Sequence, residues 1–306
     1  MLVIGESIHV IAPRVREAIE GRDKTFIQEL ARQQVAGGAH VLDLNIGPQR
    51  KTGVEVMSWM VETVQEATDV PLSLDTTNAA AIEAGLGLCR KPALINSTDA
   101  TTERLQALMP LAAKFNVGII ALTLGTTGLP TSAEARIELA TENILPVADE
   151  HSVSPDKIYF DPLVLTVNGN QDQAQSTVEA VRFFKQMTDP PAMTTCGLSN
   201  ISNGAPLELR PLINRVFLVM LMGAGLDTAI LDALDTEIMG VVRIVESRDV
   251  STPVNKLYVN LFDAYAAMEP ADLSGVDTDA EELRNLVKTV AMLENKTMYA
   301  HGYLKV

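Results

Sequence analysis

The sequence predicts an α/β fold, a TIM (βα)8 barrel with extra C-terminal helices. Eight short apolar runs each stop at a polar residue, and a helix-like stretch follows each run. Continuous apolar runs indicate strands buried on both faces, and strict alternation with helices makes these strands parallel. Because such barrels carry their active sites at the C-terminal ends of the strands, the polar residues should surround one mouth.

The eight predicted strands share one pattern, an apolar run that ends at an Asp, Asn, Glu or Thr. In chain order, the strands and their polar residues are Leu2–Gly5 with Glu6, Val41–Leu44 with Asp43 and Asn45, Pro71–Leu74 with Asp75, Ala93–Ile95 with Asn96, Val117–Leu122 with Thr123, Ile158–Phe160 with Asp161, Met193–Leu198 with Asn200, and Thr228–Leu231 with Asp232.

The stretches between the strands have the apolar period of amphipathic helices. Leu105, Leu108 and Met109 form such a stripe, and Ser132 precedes another stretch as a typical N-terminal cap. The predicted helices are Asp23–Ala36, Val54–Ala67, Asn78–Leu88, Thr101–Phe115, Ser132–Asp149, Gln173–Met187, Arg210–Met222 and Glu237–Ser247.

After the eighth unit, the chain continues further than closure of a barrel requires. We predict one domain over residues 1–306, with residues 246–306 as a C-terminal extension packed on the barrel. The extension should contain helices at Val254–Met268 and Ala280–Tyr299, separated by the turn-rich stretch Glu269–Gly275.

Charge and composition narrow the range of functions. A net charge of −15 argues against nucleic acid and against an anionic membrane as partners, because both require clustered Lys and Arg. The segment Met1–Gly5 has no basic region before its apolar residues, so we expect a cytoplasmic protein. With only Cys89 and Cys196, the sequence predicts neither a disulfide framework nor a zinc site.

The polar residues at the strand ends suit a flat heterocycle that carries N–H donors. A carboxylate only accepts hydrogen bonds, so Asp75 and Asp161 favour a ligand edge rich in N–H groups. Asn96 and Asn200 can both donate and accept. A pterin has such an edge, because its 2-amino group and N3–H point the same way and its 4-oxo group needs a donor.

Four segments stand in the order and spacing found in one family. Leu72–Asn78, Ala93–Thr98, Tyr159–Leu163 and Gly197–Ser202 resemble the methyltetrahydrofolate:corrinoid protein methyltransferases, and Leu42–Gly47 and Arg210–Arg215 resemble the same family. The resemblance covers nearly the whole barrel.

The resemblance implies a substrate, a partner and residue roles. The substrate would be tetrahydrofolate or 5-methyltetrahydrofolate, and the methyl group would pass between its N5 and the cobalt of a cobalamin, or related corrinoid, held by a partner protein. No bound metal is expected. Asp75, Asn96 and Asp161 fall on the pterin-binding residues, and Asn200 falls on the residue tied to methyl transfer.

Three further residues are left with two interpretations each. Arg210 either orients the tail of the substrate or pairs with acids at the start of its helix. Glu6 and Asp43 lie low in the mouth, where they contact the ligand directly or support the residues that do. Any Asp or Asn at a strand end can also be a simple helix cap, and Asp75 could cap the helix that begins near Asn78.

Other functions fit the sequence less well. A dihydropteroate synthase-like enzyme would need an Asn-x-Thr-Pro-Asp-Ser-Phe-like segment after the first strand, where this chain has Gly5-Glu6-Ser7-Ile8-His9. A lyase or isomerase could use Glu6, Asp43, Asp75 and Asp161 to hold Mg²⁺. A corrinoid-binding subunit is disfavoured because the chain lacks the Asp-x-His-x-x-Gly pattern.

Two predictions concern assembly. The extra length after the eighth strand favours the methyltransferase component of an O-demethylase system over the acetyl-coenzyme A route. The stretch Arg210–Gly225 is apolar nearly all round, which predicts a homodimer formed through this helix, with packing against the extension as the alternative.

Overall fold

The computed structural model describes residues 1–305 and confirms the predicted parallel barrel. Its strands pair in the order β7-β6-β5-β4-β3-β2-β1-β8, and every ladder is parallel. The strands are β1 Leu2–Gly5, β2 Val41–Asn45, β3 Leu72–Asp75, β4 Leu94–Thr98, β5 Gly118–Leu122, β6 Ile158–Asp161, β7 Met193–Thr194 and β8 Thr228–Leu231.

The helices surround the sheet and bury their apolar stripes against it. They are α1 Pro13–Glu20, α2 Lys24–Gly37, α3 Gly53–Gln65, α4 Ala79–Leu88, α5 Thr102–Phe115, α6 Ala133–Glu138, α7 Leu145–Glu150, α8 Val167–Asn170, α9 Gln173–Phe184, α10 Arg210–Gly223, α11 Thr236–Ser247, α12 Pro253–Ala266 and α13 Glu281–Leu293. The sequence analysis missed α1, which begins with Pro13 at its first position, where a missing N–H costs nothing.

Strand β7 is shorter than predicted. The prediction of a strand over Met193–Leu198 is wrong after Thr194, because the chain turns into a 3-10 helix at Leu198–Ser202. The barrel closes between β7 and β8 through a bridge of Gly197 to Ile230, whose N–H donates to the Cys196 carbonyl at 2.8 Å. The mouth is therefore least regular where the seventh strand ends.

The predicted helix Ser132–Asp149 is divided by a π-helical segment. Leu139–Ile144 forms this segment between α6 and α7. Pro146 lies at the start of α7 and has no N–H to donate into the preceding turn, so a change of hydrogen-bond register there is expected.

The C-terminal extension covers helix α10. Val216, Phe217 and Met220 are fully buried, and α10 packs against α12 and α13 of the same chain. The apolar residues of α10 are therefore accounted for by the alternative interpretation, packing against the extension, and they give no support to a homodimer through this helix. Helix α12 can approach α10 this closely because Gly223 has no side chain at their contact.

We predict that a side chain at Gly223 forces α10 and α12 apart. A Cβ there would lie 2.6 Å from the Phe262 carbonyl oxygen and 2.7 Å from the Tyr265 Cβ. Gly223→Ala should lower the free energy of unfolding in urea by about 1–3 kcal/mol. The matched control is Gly240 in α11, whose added Cβ meets nothing within 4 Å, so Gly240→Ala should stabilise by about 0.5–1 kcal/mol. Equal effects of the two changes would contradict this account of the packing.

Candidate functional site

The strand register brings the predicted polar residues to one end of the barrel. Asn45 of β2 pairs in register with Asp75 of β3, and Asp75 pairs with Asn96 of β4. On the other side of the barrel, Asp161 ends β6 and pairs with Leu122. Asn45, Asp75 and Asp161 thus end their strands, and Asn96 lies level with Asp75 but inside β4, near the strand ends where this fold places its active sites.

Asp43 and Asn96 form a buried pair inside the mouth. The Asn96 Nδ2 donates to Asp43 Oδ1 at 2.8 Å, and both side chains are buried. Burial raises the pKa of Asp43, while the hydrogen bond from Asn96 opposes this rise. Asp43 therefore fixes the orientation of the Asn96 amide, with the Nδ2 turned inward to Asp43.

Asp75 is held by a neighbouring amide and does not cap a helix. Its carboxylate accepts a hydrogen bond from Asn45 Nδ2. The cap of α4 is Asn78, whose Oδ1 accepts from the Ala81 N–H at 3.2 Å. Burial, followed by the nearby Asp43 carboxylate, raises the pKa of Asp75.

Asp161 is buried at the end of β6 and receives backbone hydrogen bonds. The Leu163 N–H donates to its Oδ1 at 2.8 Å, and the Gly197 N–H donates to the same carboxylate. Its own carbonyl accepts from the N–H and the hydroxyl of Thr123 at 2.9 and 3.0 Å. Burial nevertheless raises the pKa of Asp161 to about 6. The carboxylate is therefore held by N–H groups of the loop after β6 and of the segment after β7, whereas Thr123 after β5 holds the backbone of Asp161.

Asn200 lies on the 3-10 helix after β7 and is exposed, not at the end of a strand as predicted. Its N–H donates to the Gly197 carbonyl, and its Oδ1 accepts from Asn203 Nδ2 at 3.2 Å. Gly197 thus contacts both Asp161, through its N–H, and Asn200, through its carbonyl. This places the Asn200 amide at the rim beside the Asp161 side of the mouth.

Arg210 and Glu6 lie at other points of the rim. The Arg210 Nε donates to the Ala205 carbonyl at 2.8 Å, and within residues 1–305 the guanidinium forms no ion pair, so pairing with acids is not its role here. Glu6 follows β1 and has a pKa raised to about 7, first by burial and then by the Asp232 and Asp43 carboxylates.

The sequence analysis assigned no role in the site to three residues that support the acids. Asn45 donates to Asp75, and its signal was its place beside Asp43 in the second strand. Arg104 donates to the carbonyls of Thr77 and Ser97, at 2.7 and 3.2 Å, and so joins the loops after β3 and β4. Arg136 is fully buried beside the loop that follows Asp161.

Two surface cavities lie in different regions of the fold. One of about 570 Å³ lies between the loops after β4 and β5, lined by Thr101 and by Gly125–Leu129 and by none of the four residues Asp75, Asn96, Asp161 and Asn200. A larger one of about 650 Å³ lies away from the polar residues, between α12 and the loop before α13. Of the described residues, no three His, Cys, Asp or Glu side chains are grouped to hold a metal ion, and no described helix has the length and apolarity to span a bilayer.

The mouth offers carboxylates as hydrogen-bond acceptors and Asn amides as donors and acceptors, and several of these groups are buried from solvent. Charged acceptors buried in this way bind N–H groups more strongly than they would in water. The raised pKa values of Glu6 and Asp161 also make the mouth able to hold or release protons near neutral pH.

Comparison with known proteins points to one group of enzymes. The sequence model described as pterin binding enzyme matches residues 14–232. A methylcorrinoid:tetrahydrofolate methyltransferase from Eubacterium limosum is 32% identical over 247 residues, which cover 79% of this chain and 89% of that protein. A methionine synthase from Mycobacterium tuberculosis is 31% identical over 258 residues, and this chain spans only 21% of its length.

Solved structures share the fold at lower identity. A Yersinia pestis dihydropteroate synthase with a pterine-sulfa conjugate superposes with a TM-score of 0.61 at 17% identity, covering 80% of this chain and 94% of that chain. The likeness at this identity concerns the barrel alone.

We predict that Glu6 destabilises the folded chain at neutral and alkaline pH. Its pKa is about 7 in the folded state against an ordinary 4.5, so the folded chain holds the proton more tightly. Stability due to this group is therefore lost as the pH rises from 4.5 through 7, and the penalty is complete above pH 7. Glu6→Gln should raise the free energy of unfolding at pH 8 by about 1–3 kcal/mol and leave it unchanged below pH 4.5.

The control for this experiment is Glu20→Gln, since Glu20 is exposed at the end of α1. Urea unfolding at several pH values measures both variants. A stabilisation of Glu6→Gln that does not depend on pH would contradict the role assigned to its charge.

Proposed function

The chain belongs to the pterin-binding enzymes and is a methyltransferase, and from this premise we propose that it moves a methyl group between N5 of tetrahydrofolate and the cobalt of a corrinoid held by a partner protein. The observation that carries the proposal is the pair of carboxylates, the partly buried Asp75 and the buried Asp161, set with amides at one barrel mouth. The sequence identity to the Eubacterium limosum methyltransferase over 89% of its length supports the same reaction.

We assign binding of the pterin ring to Asp75, Asn96 and Asp161. Asp161 is fixed by two backbone N–H groups, so its remaining lone pairs can accept from the 2-amino group and N3–H of a pterin. The Asn96 amide is already oriented by Asp43, and its carbonyl is left to accept from the ring. A carboxylate with fixed geometry binds without further loss of side-chain entropy.

We assign to Asn200 the contact with N5. In transfer from folate, the cobalt of the reduced corrinoid would give its electron pair to the methyl carbon, N5 would keep the pair of the broken bond and take up a proton from water, and the Asn200 Nδ2 would stabilise the negative charge that develops on N5 by donating a hydrogen bond. In transfer to folate, N5 would give its electron pair to the methyl carbon, the carbon–cobalt bond would break with its pair left on cobalt, and the N5 proton would pass to water. The Asn200 carbonyl can accept that N–H before the attack.

We extend the proposal to the direction of methyl transfer and to the type of corrinoid system. The name of the Eubacterium limosum relative places the methylcorrinoid first, which favours transfer to tetrahydrofolate. The added helices α12 and α13 favour the O-demethylase type of system. Arg210 is assigned to the substrate tail. A cytoplasmic location and a homodimer remain predictions, the dimer now without an assigned surface.

We predict that Asp161→Ala weakens the binding of tetrahydrofolate at least tenfold. The pterin N–H groups would lose a charged acceptor in a dry site, and a buried unsatisfied donor costs about 1–3 kcal/mol. Calorimetric titration measures the dissociation constant. Asp156→Ala is the control, because Asp156 is exposed at the opposite end of β6. A dissociation constant that stays at the wild-type value would remove Asp161 from the site.

We predict that Asn200→Ala slows methyl transfer far more than it weakens folate binding. A donor that gains strength only as charge changes at N5 acts on the transition state, so the expected loss is about 10²–10³ in rate. Single-turnover transfer between methylcobalamin and tetrahydrofolate gives the rate, and titration gives the affinity. The exposed Asn260 of α12 provides the control Asn260→Ala.

The opposite result, a loss of folate affinity without a loss of rate, would contradict the role assigned to Asn200. If Asn200→Ala lost affinity but kept the wild-type rate at saturating folate, Asn200 would be an ordinary binding residue.

A further inference from the structure

We propose that Arg136 is a positioning residue for the proposed pterin site, because it holds the turn after β6 that presents the carboxylate of Asp161. The inference rests on the proposed function, since it concerns the same carboxylate. Arg136 lies in α6, outside every segment that the sequence analysis connected with the site.

The guanidinium of Arg136 joins three parts of the fold. Its Nε donates to the Pro162 carbonyl at 2.5 Å, and its Nη2 approaches the Leu163 carbonyl at 3.5 Å. Its Nη1 donates to the Ser132 carbonyl and to Gln173 Oε1, both at 3.0 Å. Helix α6 and the start of α9 thereby hold the two residues that directly follow Asp161.

The turn held by Arg136 has an unfavourable backbone conformation. Leu163 has φ of +57°, in the left-handed region that a residue with a branched side chain rarely adopts. In the same turn the Leu163 N–H donates to Asp161 Oδ1 at 2.8 Å. Hydrogen bonds from Arg136 to the carbonyls on both sides of that N–H oppose relaxation of the turn.

The charge of Arg136 distinguishes it from a purely structural connection. The side chain is fully buried, and among residues 1–305 it has no ion pair, only neutral oxygens as acceptors. A buried guanidinium without a carboxylate partner is costly, and neutral side chains could bridge the same carbonyls at lower cost. The acids that do face it are Asp161 and Asp172, and of these Asp161 is the one at the mouth.

The other titratable groups near Asp161 do not replace Arg136. The Cys196 thiol lies beside Asp161 and stays neutral, because burial raises its pKa well above its usual range. Asp172 forms its hydrogen bond with Gln173 Nε2 at 2.7 Å. Burial raises the pKa of Asp161 to about 6, the Leu163 and Gly197 N–H groups oppose this rise, and Arg136 is the positive charge that adds to their effect.

The test compares Arg136→Met, Arg136→Lys and the control Arg182→Met. Met keeps most of the side-chain volume but loses the charge and the hydrogen-bond donors. Lys keeps the charge but lacks the planar guanidinium that donates to several acceptors at once. Arg182 of α9 also donates to a carbonyl, that of Tyr265 at 2.5 Å, but it lies against the C-terminal extension. Each variant is measured for folding by circular dichroism, for the titration of Asp161 by carboxyl ¹³C NMR, and for the affinity for tetrahydrofolate across pH.

Arg136→Met should weaken folate binding at least tenfold and move the titration midpoint of Asp161 upward by about one pH unit. Folate binding needs the charged carboxylate. As the pH is lowered, the affinity of Arg136→Met for tetrahydrofolate should therefore begin to fall at a higher pH than that of the wild type. Arg136→Lys should keep the midpoint near the wild-type value while binding folate about three- to tenfold more weakly. Arg182→Met should change neither.

Two results would overturn the inference. One is a folded Arg136→Met with the wild-type midpoint and affinity. The other, should Arg136→Met not fold, is an Arg136→Lys with wild-type affinity. The NMR titration needs no folate, so a wild-type protein that fails to bind tetrahydrofolate would contradict the proposed function while the role of Arg136 toward Asp161 is still decided.

Discussion

The structure depends on the need to supply hydrogen-bond donors to carboxylates buried at one end of a parallel barrel. Asp43, Asp75 and Asp161 would be too costly to bury without partners, and each has them. The partners of Asp43 and Asp75 come from other strands, because parallel register brings the strand ends to one level, whereas Asp161 accepts from the Leu163 N–H just after its own strand. This constraint explains why Asn45 and Asn96 lie among the acids of the mouth.

The same constraint connects stability with function. The donors hold the carboxylates in place but do not lower their pKa values to ordinary ones, since burial dominates at Glu6 and Asp161. A ligand that brings N–H groups to these acceptors would add hydrogen bonds to carboxylates whose pKa values burial raises.

The sequence predicted the barrel because apolar runs and helical stripes are local patterns, and it predicted the rim because a strand end determines the mouth. Features set by distant contacts escaped it. From its sequence alone, Arg136 is expected to be a solvent-exposed helix residue. In the structure the loop after β6 buries it. Residues 195–198 leave the predicted strand in a region where the Gly197 N–H donates to the Asp161 carboxylate, a contact between residues far apart in sequence. The apolar residues of α10 fitted either a dimer surface or the extension, and only the tertiary contact with α12 decides for the extension.

The most direct test of the account is single-turnover methyl transfer by the wild-type protein in the presence of EDTA, with methylcobalamin and tetrahydrofolate as substrates. The cobalamin absorbance reports loss of the methyl group, and chromatography identifies the folate product. The account predicts that 5-methyltetrahydrofolate forms in proportion to the cobalamin demethylated, at a rate independent of added Mg²⁺. No transfer by a protein that binds tetrahydrofolate, or transfer that requires Mg²⁺, would contradict it.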